Sequence, residues 1–321
     1  MLRFFAVLVV LAAIAGGAWF WEQQNWQAAG PSIAYKIVMV KPGDHVATIS
    51  ENLQKNGVIA NANLFRIGLR LRNQQTGLKA GEYGFPARVS MADVTAILIA
   101  GKSIEHKLTA AEGLTSQMIY DIVKKDPVLV GDAGAVPQEG TLLPETYLFT
   151  RGMTRVQMLS KMREAQKKLI AAQWPARIGN LPIKTPQEAI ILASIVEKET
   201  GIPEERRHIA AVFENRLRLG MKLQSDPTII YGITKGYPIG RRIRQSEIDA
   251  QTPYNTYAIP GLPVGPICNP GKDAILAVLN PEGSDDLFFV ANGTGGHVFA
   301  ATMAEHEKNV ANWRKIHDAQ H

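Results

Sequence analysis

The chain has one cysteine, Cys268, so no disulfide can form within it and its stability must come from a packed core. Cys268 lies in a proline-rich loop and reads as a small buried side chain. There is no internal repeat and no low-complexity stretch, so a solenoid or a largely disordered chain is not expected. No His-Glu-x-x-His helix occurs, and His297 and His306 stand nine apart, so zinc-ligand spacing is missing. No Gly-x-Ser-x-Gly turn is present to carry a serine nucleophile. Neither a metal nor a cofactor is expected. The net charge of +6 invites a nucleic-acid reading, but the basic clusters are short: Arg66, Arg70 and Arg72; Lys167 and Lys168; Arg241, Arg242 and Arg244. No aromatic residues interleave with them at single-strand-binding spacing, so no nucleic-acid partner is expected. Anionic lipid headgroups or an acidic wall polymer suit this charge better.

Long apolar runs are scarce too, with one exception. Phe4 to Trp21 is 18 residues without a charge, near the lower limit for a membrane span. Arg3 favours a cytoplasmic N-terminus, and Trp19, Trp21 and Trp26 suit an interfacial aromatic belt. Ala13-Ile14-Ala15 resembles a signal-peptide cleavage site, but the apolar run continues past it to an aromatic end, which favours an uncleaved anchor. Residues 1–25 are therefore read as a single-pass membrane anchor, and residues 22–35 as a polar linker. The rest of the chain is expected across that membrane.

At 321 residues, 46% hydrophobic and 20% charged, the chain has room for two globular parts. Strands are expected at 37–40, 81–85 and 106–110. Helices are expected at 45–55, from Asn61 with Leu64, Ile67 and Leu71 inward, and at 92–100 before Gly101. That makes a small α+β unit over residues 36–108. Helices at 116–125, 154–172, 186–200, 203–219 and 302–316, with a strand near 287–291, predict a larger mixed α/β domain over 109–321.

Residues 185–200 carry the sharpest chemical signal. Thr185 fits an N-cap, Pro186 the first helical position, and Glu188 a capping box; Gly201 and Pro203 stop the helix. Ala189 to Val196 is apolar on nearly every face, so the helix should be buried. Glu197 and Glu199 face roughly opposite ways at its C-terminal end. Glu199 lies below Leu192, Ile195 and Val196, where desolvation and the helix C-terminus both favour the neutral, proton-donating form. Such a group is a general acid for work near neutral pH. Glu197 is read as structural.

Stiff polar loops flank this helix in sequence: 143–147, 223–227, 252–257 and 261–271. They offer Asn, Gln, Asp, Tyr and Thr, which suit a sugar better than a phosphate. Residues 192–200, Leu-Ala-Ser-Ile-Val-Glu-Lys-Glu-Thr, resemble the signature of the endolytic murein transglycosylases, the YceG-like (MltG) family. Further matching segments are Glu-Gly-Thr-Leu-Leu-Pro-Glu-Thr-Tyr (139–147), Asn-Arg-Leu with Leu-Gln-Ser-Asp-Pro-Thr (215–228), Pro-Tyr-Asn-Thr-Tyr (253–257), Gly-Leu-Pro-x-Gly-Pro-Ile (261–267) and Phe-Val-Ala-Asn-Gly-x-Gly-Gly-His (289–297). Val264 stands where the family often has Pro.

The resemblance implies a membrane-anchored lytic transglycosylase, with a LysM-like subdomain at 36–108 and the catalytic domain after it. It implies endolytic cleavage of nascent peptidoglycan strands between N-acetylmuramic acid and N-acetylglucosamine, leaving 1,6-anhydro-muramoyl ends and limiting strand elongation. The family's catalytic acid maps onto Glu199. From the matched loops, Gln224, Asp226, Asn255 and Tyr257 are candidates for substrate binding or transition-state support, with Glu145 and Glu112 as further candidates. His297 is expected to cap a glycine-rich turn or to touch substrate. Peptidoglycan synthases are expected partners. Two rivals stay open: a muramidase-type hydrolase with Asp226 or Glu145 as second carboxylate, and a non-catalytic glycan-binding scaffold.

Overall fold

The computed structural model describes residues 2–320. Its elements mix helix and sheet, and their contacts divide the chain into two compact units: residues up to His106 with Leu148–Gly152, and Lys107–Tyr147 with the chain from Met153 on.

Helix α1 (Leu2–Gln27) opens the first unit. It is the one helix among the described residues long and apolar enough to cross a membrane, with a mean hydropathy of 2.2 and a fully exposed apolar window. Its last turns behave differently. Helix continues to Gln27 where a linker was expected from residue 22, because Glu22 and Trp26 are built into the unit's core. Trp26 is 3% exposed and stacks on Phe65 at 5.7 Å between ring centroids, so it belongs to the protein core and not to an interfacial belt. The Arg72 guanidinium lies 4.2 Å from the Trp26 ring and forks onto Glu22 at 2.7 and 3.1 Å.

That core is made by β1 (Lys36–Val40) paired antiparallel with β2 (Gly81–Phe85), and by α2 (Val46–Lys55), α3 (Ala62–Leu71) and α4 (Met91–Ala100). Val38, Leu53, Phe65, Leu69, Tyr83, Phe85, Val94 and Leu98 fill it. Asn61 and Ser90 cap their helices through side-chain oxygens, and Gly101 ends α4 in the left-handed region at φ 70°. The inward face of α3 differs from the expected one. Phe65, Gly68 and Leu69 point in, while Ile67 and Leu71 are about half exposed. Trp26 selects this face: a Cβ on residue 68 would stand 2.3 Å from its ring, so only glycine admits the contact.

The division between the units falls within β3 (Glu105–Thr109) and β4 (Thr146–Thr150), which pair with each other. The second unit is organised around α7 (Pro186–Glu199), which packs against α8 (Arg206–Arg218), α9 (Asp226–Thr234) and α11 (Lys272–Leu279). Every residue of α7 from Ala189 to Val196 is buried, as the all-round apolar pattern requires. Its start is a variant of the expected box. The Thr185 hydroxyl accepts from the Glu188 amide, but the Glu188 carboxylate reaches the Lys184 amide and not that of Thr185. Helices α5 (Ser116–Lys125) and α6 (Arg155–Gln173) precede α7. Short α10 (Gln245–Ile248) lies between α9 and α11, and a β5 (Phe288–Ala291)–β6 (His297–Ala300) hairpin with α12 (Met303–Gln320) completes the unit.

Candidate active site

Glu199 is the last residue of α7. The buried helix carries it to a cleft of about 500 Å³, shared with Arg216, Gln224, Asp226, Tyr257, Phe289 and His306. Burial pushes the Glu199 carboxyl up to about 7, and the nearby Asp226 charge pushes the same way. The Ser225 hydroxyl, His297 and Arg216 oppose this without reversing it. Ser225 donates to Glu199 Oε1. Oε2 has no hydrogen-bond partner among the described residues, so it is the oxygen open to a ligand.

Two chain segments are latched together to hold this arrangement. Thr256 is wholly buried; its Oγ1 accepts the Ser225 amide at 2.9 Å, and its carbonyl accepts the Gln224 amide at 3.1 Å. Thr228 Oγ1 bonds Thr256 Oγ1 at 2.9 Å and donates to the Ser225 carbonyl at 2.6 Å. Gln224 is held at φ 53°, an uncommon conformation for a non-glycine residue, next to the serine that touches Glu199. Residues 223–227 are therefore not a plain loop, since Asp226 opens helix α9. Asp226 Oδ1 accepts the Tyr257 hydroxyl at 2.7 Å. Burial, and then Asp226, push the Tyr257 phenol upward, so it stays a donor.

Arg216 is an uncommon component. It is 7% exposed, and its guanidinium donates to the backbone carbonyls of Leu287 at 2.6 Å and Leu223 at 2.8 Å. No described carboxylate lies within ion-pair distance of it. Its positive charge is thus available to the cleft, and burial lowers its proton affinity. His306 stacks on Phe288 at 5.1 Å, and burial and Arg216 lower its pKa.

Of the residues singled out from sequence, Glu199, Gln224, Asp226 and Tyr257 meet in this cleft. Asn255 does not line it. Its amide donates to the carbonyls of Glu247, Ile248 and Ala250, and its Oδ1 accepts the Tyr257 amide, so it braces the turn beneath Tyr257. Glu145 is exposed and outside the cleft lining, and Glu112 lies 3.6 Å from Arg206. Glu197 accepts the Gly271 amide at 2.9 Å, tying α7 to the start of α11. The glycine-rich turn at 292–296 is capped by Asn292, whereas His297 Nδ1 pairs with Glu205 at 2.7 Å. Arg216, Ser225 and Thr256 were not singled out, although each lies within or beside a matched motif.

A carboxyl that burial raises to about 7, lining a polar cleft beside a hydrogen-bonded Asp–Tyr pair, is the equipment of the general-acid class of site. The chain matches the YceG-like family over residues 38–312 and belongs to that family. Similar proteins include an endolytic murein transglycosylase of Streptococcus pneumoniae, 32% identical over 95% of this chain, and one of Bacillus subtilis, 26% identical over 84% of this chain and 82% of its own length. This chain covers 64% of the pneumococcal protein. A YceG-like protein of Listeria monocytogenes has a similar crystal structure, with a TM-score of 0.52 and 30% identity, matching 86% of this chain and 99% of that one.

Proposed function

We propose that the protein is a lytic transglycosylase that cleaves peptidoglycan strands endolytically, with Glu199 as both acid and base. The observation that carries this reading is the Glu199 carboxyl, held near neutral pKa with Oε2 free in the cleft. Protonated Oε2 gives its proton to the glycosidic oxygen between N-acetylmuramic acid and N-acetylglucosamine, and the C1–oxygen bond breaks. The Glu199 carboxylate so formed lies near the Arg216 and His297 charges, which stabilise it. It then takes the proton of the muramoyl C6 hydroxyl as O6 closes onto C1, giving a 1,6-anhydro end. The proton returns to Glu199, and no water is consumed. The Asp226 carboxylate, aimed by Tyr257, faces the developing oxocarbenium ion.

The same carboxylate supports one rival. Two carboxyls in one cleft are also the equipment of a hydrolase, with Asp226 as nucleophile or base. Mass spectrometry of peptidoglycan digested by wild type and by Glu199→Gln separates the readings. Anhydro-muramoyl ends made only by wild type are expected; free reducing ends would establish hydrolysis, and no cleavage by folded protein would leave a scaffold.

In this reading α1 is a single-pass inner-membrane anchor, with the catalytic unit on the periplasmic or wall side. Residues 36–108 form a LysM-like subdomain that handles glycan, residues 109–321 are the catalytic domain, and peptidoglycan synthases are partners. Anchoring limits the enzyme to newly made strands near the membrane. The family match and the exposed apolar length of α1 support this arrangement.

A further inference from the structure

A second cavity, of about 480 Å³, lies at the opposite end of α7 from Glu199. Its walls include Arg163, Gln166, Lys167 and Ile170 from α6, and Gln187 and Ile190 from the first turns of α7. At the rise of an α-helix, these α7 positions stand about 14–18 Å from Glu199 along the axis. The cavity is therefore separate from the cleft described above.

The α6 residues fall at i, i+3, i+4 and i+7, one helical face. A face turned simply to solvent would not bury its amide, yet Gln166 is 4% exposed. Its Nε2 donates to the Gly140 carbonyl, which fixes the amide's orientation and leaves Oε1 as a buried acceptor without a donor. Arg163 makes no hydrogen bond or ion pair with any described residue. Lys167 pairs only with exposed Glu164, an i,i+3 contact that holds its ammonium weakly. The Gln187 amide, the first N–H of α7 after Pro186, has no acceptor among the described residues, and it sits at the positive end of the helix dipole. The Glu188 carboxylate is occupied at the Lys184 amide. Two cations and a free amide call for an anion, and the orphan acceptor calls for an N–H close to it. Ile170 and Ile190 add aliphatic wall, and no aromatic ring is present to stack a sugar.

We infer that this cavity binds the carboxylate end of a short aliphatic peptide, with the carboxylate on Arg163 and Lys167 and a peptide N–H on Gln166. This rests on the proposed function in one respect: the peptide would be an arm of the peptidoglycan strand, on a neighbouring unit and not the one being cut. The site would then favour strands that carry peptides over bare glycan.

The test is saturation-transfer NMR on the full chain in detergent micelles, with N-acetyl-alanyl-alanine and its C-terminal amide as probes. The acid should receive saturation, and the amide should bind about tenfold more weakly. Arg163→Gln with Lys167→Glu should weaken the acid by at least about tenfold, while Glu199→Gln leaves its binding unchanged. No transfer to the acid, equal binding of acid and amide, or an acid signal indifferent to the double substitution overturns the inference. Because binding is read without turnover, its failure is distinct from the absence of anhydro ends, which bears on the proposed function alone.

Discussion

Replacing Glu199 by Gln should make the fold more stable while it abolishes cleavage, and the gain should grow with pH. In the folded protein burial holds this carboxyl at about 7, against an ordinary value of 4.5. Between those values the unfolded chain releases a proton that the folded chain retains, so folding stability falls as pH rises, and the loss is complete once pH passes 7. The destabilisation attributable to Glu199 grows from about 0.8 kcal/mol at pH 5 to about 3 kcal/mol at pH 7 and levels off beyond. These are ceilings, because the carboxyl faces an open cleft. Glutamine keeps the shape and can still accept from Ser225, but it has no proton to lose. For a unit of this size each kcal/mol moves Tm by about 2–4 °C, so Glu199→Gln should melt up to about 6–12 °C above wild type at pH 8 and within about 3 °C of it at pH 5. The assay is thermal unfolding of the full chains in detergent, followed by near-UV circular dichroism at both pH values. An equal increment at the two pH values, or a variant less stable than wild type at pH 8, would refute the buried neutral acid.

Asp226→Asn removes a negative charge that raises the Glu199 pKa, so the alkaline limb of the pH–rate profile should move to lower pH. Anhydro ends should persist at a reduced rate; complete loss of every product alongside normal folding would favour Asp226 as a hydrolase carboxylate. Ser225→Ala removes a hydrogen bond that lowers the same pKa, so its alkaline limb should move the other way, and coincident profiles for variant and wild type would remove Ser225 from the site's electrostatics. Gly68→Ala places a methyl against the Trp26 ring and should destabilise the first unit by about 1–3 kcal/mol through overpacking. Trp26→Ala on that background should relieve part of the cost; additive losses in a double-mutant cycle would disprove the contact.

Much of the architecture was legible because it is locally encoded. Asn61, Ser90, Thr115, Thr154 and Thr185 each cap the helix directly after them, and their side chains do so without help from distant residues. The inward face of α3 was not legible. Leu64 packs against the core as expected, but Ile67 and Leu71 give way to Phe65, Gly68 and Leu69 because Trp26, some forty residues earlier in the chain, needs the glycine. Helix α9 was hidden by its Ser-Asp-Pro start, which reads equally as a turn and as a helix N-terminus.

The amino-acid sequence by itself determined that α7 is buried and that it ends on a carboxylate, because an all-apolar helix has no face to give to water. Only tertiary structure decided what that carboxylate meets. Ser225 reaches it because Thr256 and Thr228 latch two segments about thirty residues apart. Arg216 stays unpaired because backbone carbonyls take its hydrogen bonds. Asn255 leaves the cleft because the turn beneath Tyr257 uses all its polar atoms. The pKa arises from desolvation and neighbouring charge, and both are properties of the assembled site that spacing along a chain does not carry.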